Sequence, residues 1–125
     1  MSTILIVEDN EKNMKLVRDI LQFKGYRTIE ASTGNEGLAL ARQHQPDLIL
    51  MDIQLPDING IEALGIIRAD ASLARTPVVA VSASVMPDEQ QKIVASGFDA
   101  YVTKPIDLKS FVATVEKFAG VPAKK

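Results

Sequence analysis

Residues 47–60 read DLILMDIQLPDING, in which an apolar run from Leu48 to Met51 leads directly into an aspartate, Asp52. Short continuous apolar runs are typical of strands that are covered on both faces in a parallel sheet. A carboxylate at the end of such a strand is costly to bury unless a partner compensates its charge. The stretch therefore predicts a buried strand with a functional acid at its carboxyl end.

The same pattern, an apolar run followed by a segment of helical periodicity, occurs five times along the chain. The apolar runs are Ile4–Val7, Tyr26–Ala31, Leu48–Met51, Val78–Val81 and Ala100–Val102. Apolar residues recur at helical spacing between these runs, and most clearly in the stripe from Leu108 to Ala119. Alternating strands and helices predict an α/β fold with a parallel sheet, right-handed crossovers and helices on both faces.

Several residues mark where the helices begin and end. Thr33 and Glu36 have capping-box spacing, and Asp107 is placed to cap the last helix. Three glycines stand where helices should stop, namely Gly25, Gly97 and Gly120. Gly65, inside the third helix, costs about 1 kcal/mol relative to alanine. It would permit close packing, although the sequence gives no firm account of it.

Length and composition favour one soluble domain, spanning 1–120, with a short tail at 121–125 and no output domain. The chain has 125 residues, of which 46% are hydrophobic and 24% are charged. A net charge of −2 gives no basic field for nucleic acid or an anionic membrane. The absence of cysteine excludes disulfides and thiolate metal sites. The start, MSTILIVEDN, does not resemble a signal peptide, and no apolar run approaches the ~20 residues that span a bilayer. We therefore expect a cytoplasmic protein without membrane insertion.

Five polar residues fall at the carboxyl ends of the predicted strands. Glu8 and Asp9 follow the first strand, Asp52 the third, Ser82 the fourth and Lys104 the fifth. In a parallel sheet these ends meet at one edge, where ligands bind. We therefore expect these residues to converge, although they are separated by nearly a hundred positions.

The chemistry of these residues is complementary. Carboxylates held close together repel and raise one another's pKa values, and a hard divalent cation removes that conflict. Mg²⁺ fits because it takes carboxylate oxygens and also binds phosphate oxygens. Lys104 supplies a compact positive charge and Ser82 a hydroxyl donor. These are the groups needed for phosphoryl transfer to a carboxylate, with Asp52 as the phosphoacceptor.

The chain resembles the receiver domain of two-component response regulators, the CheY-like receivers, over about residues 2–119. The motifs that carry the resemblance are ILIVEDN at 4–10, DLILMDIQLPDINGIE at 47–62, PVVAVSA at 77–83 and YVTKP at 101–105. The resemblance implies a flavodoxin-like (βα)5 three-layer sandwich, with a parallel five-stranded sheet of order 2-1-3-4-5.

The resemblance also implies roles at the acidic site. Asp52 matches the phosphorylated aspartate, and Asp9 matches the acidic magnesium ligand. The backbone carbonyl of Gln54 and Asp52 itself are the other expected protein ligands. Glu8 matches a second acidic position that often acts through water; many receivers carry aspartate there, so the longer side chain leaves its coordination open.

Further residues match the switch of the family. Ser82 matches the hydroxyl that turns to bond the phosphoryl group, and Lys104 matches the lysine that pairs with it. Tyr101 matches an aromatic position that is buried in the active state and more exposed in the inactive one. The Lys104–Pro105 peptide is expected to be cis. Gln54 and Ser84 are expected to tune the lifetime of the phosphoaspartate.

The partners follow from the same resemblance. A histidine kinase or a histidine phosphotransfer protein would donate the phosphoryl group in a magnesium-dependent reaction. A downstream protein would then read the surface formed by helix 4, strand 5 and helix 5. The chain would catalyse only its own phosphorylation and dephosphorylation, without acting as an enzyme on a separate substrate. A monomer and a weak dimer are both compatible with this scheme.

Two other classes of function are weaker. An aspartyl-phosphate phosphatase usually needs a second aspartate two residues after its nucleophile, and here that position is Gln54. A constitutive binding module on the same fold would be expected to lack one of the acids or the lysine. Glu8, Asp9, Asp52 and Lys104 are all present.

Overall fold

The computed structural model describes residues 2–83 and 87–120, so Ser84 and the tail at 121–125 lie outside the described residues. Strands and helices alternate along the chain, as predicted. The strands are β1 (Thr3–Val7), β2 (Arg27–Ala31), β3 (Leu48–Asp52), β4 (Val78–Ser82) and β5 (Ala100–Thr103). The helices are α1 (Glu11–Phe23), α2 (Gly34–His44), α3 (Gly60–Ala69), α4 (Pro87–Ala95) and α5 (Leu108–Ala119).

The five strands form one parallel sheet in the order β2-β1-β3-β4-β5. This confirms the flavodoxin-like order. β3 occupies the centre and all five of its residues are buried, as are all five of β4. The two strands at the edges of the sheet, β2 and β5, are more exposed.

Successive residues of the central strands pack into two different cores, one on each face of the sheet. Leu48 and Leu50 point toward α1 and α5, where Phe111 and Val115 are buried. Ile49 and Met51 join the core that α2, α3 and α4 cover. Burying a side chain of this size stabilises the fold by about 1.5–3 kcal/mol. Three layers result, with helices on both faces of the sheet.

The strands differ from the predicted ones at their ends. β3 and β4 each extend one residue beyond the apolar run, because the backbone of Asp52 pairs with Val81 and that of Ser82 with Thr103. The ends of these two strands are therefore set by backbone pairing with the neighbouring strand, and not by where the apolar residues stop. The second strand begins at Arg27 and not at Tyr26. Tyr26 is buried beside α1, whose Leu21 carbonyl accepts its backbone N–H.

The predicted caps are present, with one change. Thr33 caps α2 by accepting the backbone N–H of Glu36, and Asp107 caps α5 by accepting that of Ser110. The Glu36 carboxylate, however, accepts the N–H of Ser32 instead of that of Thr33, so the reciprocal half of the capping box is displaced by one residue.

Gly25, Gly97 and Gly120 all have positive φ, as expected where helices stop. The predicted apolar stripe of α5 is wrong at its first residue, since Leu108 is largely exposed. No helix among the described residues is long and apolar enough to cross a bilayer.

Candidate functional site

Polar residues that follow separate strands meet at the carboxyl edge of the sheet. Asp52 is the last residue of β3, the central strand. Glu8 directly follows β1, and Lys104 directly follows β5. Because the strands are parallel, all three side chains reach the same edge. The structure thus brings together the residues that the sequence pattern placed there.

The Asp52 side chain is buried, and both of its oxygens have partners. Oδ1 accepts the backbone N–H of Gln54 at 3.0 Å, and Oδ2 lies 3.1 Å from Nζ of Lys104. These contacts offset the cost of removing the carboxylate from water. They also hold the carboxylate in one orientation at the edge of the sheet.

Glu8 forms the second half of the cluster. It is 5% exposed, and its Oε1 lies 2.9 Å from Nζ of Lys104. Its Oε2 accepts the backbone N–H of Asn10 at 3.1 Å. Lys104 therefore bridges Glu8 and Asp52. Buried ion pairs seldom stabilise a fold more than apolar packing would. A role in binding or reaction therefore explains this cluster better than a contribution to folding stability does.

Burial and neighbouring charge shift the pKa values in the cluster. Burial raises the pKa of the Glu8 carboxyl; Lys104 opposes this shift and Asp52 adds to it. Burial by itself lowers the pKa of the Lys104 ammonium, but its contacts with Glu8 and Asp52 together outweigh burial and hold the pKa above its ordinary value. Lys104 is therefore charged at neutral pH.

The cluster has the composition of a site for a hard divalent cation. One carboxylate oxygen from each of Glu8, Asp9 and Asp52 lies within 4.8 Å of the others. Asp9 is exposed, whereas Glu8 and Asp52 are buried. Three acids against the single ammonium of Lys104 leave an excess of negative charge, which an oxygen-ligated ion such as Mg²⁺ would neutralise.

The two predicted switch residues occupy different places. Ser82, the last residue of β4, is buried at the same edge as Asp52, and its carbonyl accepts the N–H of Lys104 at 2.8 Å. Tyr101 is 36% exposed, and its hydroxyl donates to Oε1 of Gln90 on α4 at 3.3 Å. The Lys104–Pro105 peptide is cis, which confirms that expectation.

Some residues that shape the site were not singled out from the sequence. Asn10 caps α1, accepting the N–H of Asn13 at 3.0 Å, while its own N–H binds Glu8. An asparagine directly before an amphipathic segment is the sequence pattern that could have predicted this helix cap.

The surroundings of two glycines of α3, Gly60 and Gly65, were not indicated by the sequence. A Cβ at Gly60 would lie 2.7 Å from the carbonyl oxygen of Asp52, so only glycine fits against the backbone there. No sequence signal distinguishes this contact from an ordinary turn. Gly65 is exposed, and a Cβ there would meet nothing within 4 Å. Close packing therefore does not explain Gly65.

Comparison with known proteins agrees with this geometry. The chain matches the response regulator receiver domain family over residues 4–116. It is 46% identical over 118 residues to the polar-differentiation response regulator DivK of Brucella ovis, with 94% of this chain and 96% of that protein covered. The DivK protein of Brucella anthropi gives the same identity and coverage.

Solved structures show the same fold. The chemotaxis response regulator CheY4 of Vibrio cholerae has a TM-score of 0.88 and 26% identity, covering 94% of this chain and 98% of that one. The receiver domain of a sensor histidine kinase from Pseudomonas aeruginosa has a TM-score of 0.88 and 28% identity, covering 95% and 98%. That receiver was crystallised with a magnesium ion coordinated in its active site cleft.

Proposed function

Because this chain belongs to the response regulator receiver family, we propose that it accepts a phosphoryl group on Asp52 and signals through the protein binding that this modification controls. Phosphorylation-dependent signalling is the general function of receivers, which interact with histidine kinases and with downstream targets. One observation carries the assignment to Asp52. Its carboxylate is buried, oriented by Gln54 and Lys104, and grouped with Glu8 and Asp9.

The reaction is a transfer from nitrogen to oxygen. A lone pair of an Asp52 carboxylate oxygen forms the new O–P bond as the N–P bond of a donor phosphohistidine breaks, and the electrons of that bond stay with the imidazole. The donor is a histidine kinase or a phosphotransfer protein. Lys104, 3.1 Å from an Asp52 oxygen, is placed to pair with the oxygens of the incoming phosphoryl group.

The residues that would hold Mg²⁺ are Asp9, Asp52 and the backbone carbonyl of Gln54. Glu8 would act through water, because Lys104 and the N–H of Asn10 already contact its two oxygens. When bound, the ion neutralises the carboxylates and the phosphoryl oxygens, so that two anionic groups can approach. The acidic cluster described above supports this choice of ligands.

Phosphorylation would be signalled to other proteins by a change in the surface of this chain. We expect the Ser82 hydroxyl to bond the phosphoryl group and Tyr101 to leave its exposed position beside Gln90. The face formed by α4, β5 and α5 would then differ between the two states, and a downstream protein would read the difference. The chain catalyses its own phosphorylation and dephosphorylation and turns over no separate substrate. Family membership also supports a cytoplasmic location.

The test is intact mass after incubation with acetyl phosphate and Mg²⁺. Wild type is expected to gain one phosphoryl group, and excess EDTA is expected to prevent the gain. Asp52→Asn should gain nothing. Asp47→Asn is the matched control, because Asp47 directly precedes the amino end of β3, whereas Asp52 lies at its carboxyl end. This variant should react like wild type. Equal phosphorylation of Asp52→Asn and wild type would overturn the proposal.

A further inference from the structure

The loop 53–59, which joins Asp52 to α3, carries the Gln54 carbonyl that is expected to contact Mg²⁺. Its first part is fixed to the acceptor, since the Gln54 N–H binds Asp52 Oδ1. Its two ends are joined by the Gly60 N–H, which donates to the Ile53 carbonyl at 2.8 Å. Farther along the loop, Leu55 and Ile58 pack against the core, and a polar side chain adds one more tie.

Asp57 supplies that tie by binding a different helix. Its Oδ1 accepts the N–H of Gly34 at 2.8 Å, and its Oδ2 accepts that of Asn35 at 2.8 Å. These are the first two amides of α2, which have no partner within the helix itself. The amides of Asn35 and Gly34 lower the pKa of Asp57, so its carboxylate is ionised at neutral pH.

The packing around this contact is close. A Cβ at Gly34 would lie 2.5 Å from Cγ1 of Ile58, the residue after Asp57. The beginning of α2 and the loop therefore touch through both a charge-assisted pair of hydrogen bonds and an apolar contact. The loop cannot shift without separating these groups.

We propose that Asp57 is a positioning residue of the phosphoacceptor site, which clamps the loop 53–59 to α2 and so holds the Gln54 carbonyl where the metal needs it. The inference rests on the proposed function. Outer partners of metal ligands commonly change metal affinity by about 10-fold or more when they are removed. Asp57 acts in this way through the loop, without touching Asp52, Glu8 or Asp9.

The chain offers a matched control at the opposite end of α3. Asp70 also ties α3 to α2, because its Oδ2 accepts from Nε of Arg42 at 2.9 Å. Its Oδ1 accepts the backbone N–H of Ser72 at 2.9 Å. Both aspartates therefore contact α2, Asp57 through two backbone amides and Asp70 through the side chain of Arg42. Only Asp57 lies on the loop that follows the acceptor.

The experiment compares Asp57→Asn and Asp70→Asn with wild type by calorimetric titration with Mg²⁺ alone. Hydrogen exchange of the Gly60 amide, measured without metal, reports the conformation of the loop. Asp57→Asn is expected to weaken Mg²⁺ binding by about 10-fold and to speed exchange at Gly60. Asp70→Asn should lose thermal stability while keeping Mg²⁺ affinity within twofold of wild type. Asp57→Glu, which keeps the charge and both acceptors, should recover part of the affinity.

Asp57→Asn with Mg²⁺ affinity and Gly60 exchange equal to those of wild type would overturn the inference, as would an equal loss of affinity in Asp70→Asn. This titration needs no phosphoryl transfer. A wild type that binds Mg²⁺ but fails to gain a phosphoryl group would therefore count against the proposed function, and not against the role of Asp57.

Discussion

Lys104 Nζ lies 3.1 Å from Asp52 Oδ2, although 52 positions of sequence separate the two residues. The same ammonium lies 2.9 Å from Glu8 Oε1. A single cation therefore pairs with two buried carboxylates at the edge of the sheet. Together with the N–H of Gln54, it holds the Asp52 carboxylate in one orientation.

Replacing Lys104 should destabilise the protein through the two acids that it leaves behind. Lys104→Met is expected to lower the free energy of unfolding by about 3 kcal/mol at neutral pH, because an unpaired buried carboxylate is costly. Urea unfolding in EDTA measures this loss. Adding Glu8→Gln to Lys104→Met should restore part of the stability, because one uncompensated charge is removed. A Lys104→Met protein as stable as wild type would show that the ion pairs contribute nothing.

Mg²⁺ should stabilise the folded protein through Asp9. At a concentration 100 times its dissociation constant, a ligand that binds only the folded state adds about 2.7 kcal/mol. Thermal unfolding of wild type should therefore shift upward with Mg²⁺, whereas Asp9→Asn should shift much less. Asp9 is exposed, so its replacement leaves the core intact. The control is Asp47→Asn, which should respond to Mg²⁺ like wild type. An equal response of Asp9→Asn would remove Asp9 from the ligand set.

The two glycines of α3 should respond oppositely to alanine. Gly65→Ala is expected to raise the free energy of unfolding by up to about 1 kcal/mol, because a Cβ meets nothing there and alanine favours the helix. Gly60→Ala should lower it by about 1–3 kcal/mol, because its Cβ would press on the Asp52 carbonyl oxygen and on Ile53. Chemical denaturation of both variants checks the pair. Destabilisation by Gly65→Ala would contradict the open space that the structure shows.

Stability should fall in acid because several carboxyl groups have lowered pKa values. The residues concerned are Asp19, Asp57, Asp70 and Asp107. A group whose pKa is lower in the folded protein binds fewer protons than in the unfolded chain, so its stabilising contribution is present above its ordinary pKa of 3.8 and disappears as pH falls through the folded value.

The contribution of Asp70 to this loss of stability in acid can be measured separately. Ser72 and Arg42 hold the pKa of Asp70 below its ordinary value, and Asp70→Asn removes the titrating group. The urea midpoint of wild type should therefore fall more steeply than that of Asp70→Asn between about pH 5 and about pH 2. Parallel curves for the two proteins would show that Asp70 has the same pKa folded and unfolded.

Much of the fold and of the acidic cluster could be predicted from the sequence. Apolar runs such as Leu48 to Met51 indicate buried parallel strands, and a parallel sheet brings its carboxyl ends to one edge whatever the details of the loops. For that reason Glu8, Asp52 and Lys104 could be grouped before their distances were known. The strand order came from the family motifs, because periodicity alone does not specify which strands are neighbours.

Contacts that depend on the exact path of a loop could not be predicted. The pattern around Asp57 indicates only a turn, whereas its bonds to Gly34 and Asn35 require the loop to meet another helix. The 2.9 Å pairing of Glu8 with Lys104 likewise could not be predicted, because it depends on the rotamer that each side chain adopts. Gly65 suggested close packing that does not exist, since a glycine in a helix gives no sign of what surrounds it.

The role of Asp52 is tested most directly by locating the phosphoryl group chemically. Protein treated with acetyl phosphate and Mg²⁺ is reduced with borohydride, which converts a phosphoaspartate to homoserine, and is then digested and sequenced by mass spectrometry. Fragment ions distinguish Asp47, Asp52 and Asp57, which lie close together in the chain. The role of Asp52 as phosphoacceptor predicts homoserine at position 52 alone, and only when Mg²⁺ is present. Homoserine at another aspartate, with Asp52 unchanged, would contradict it.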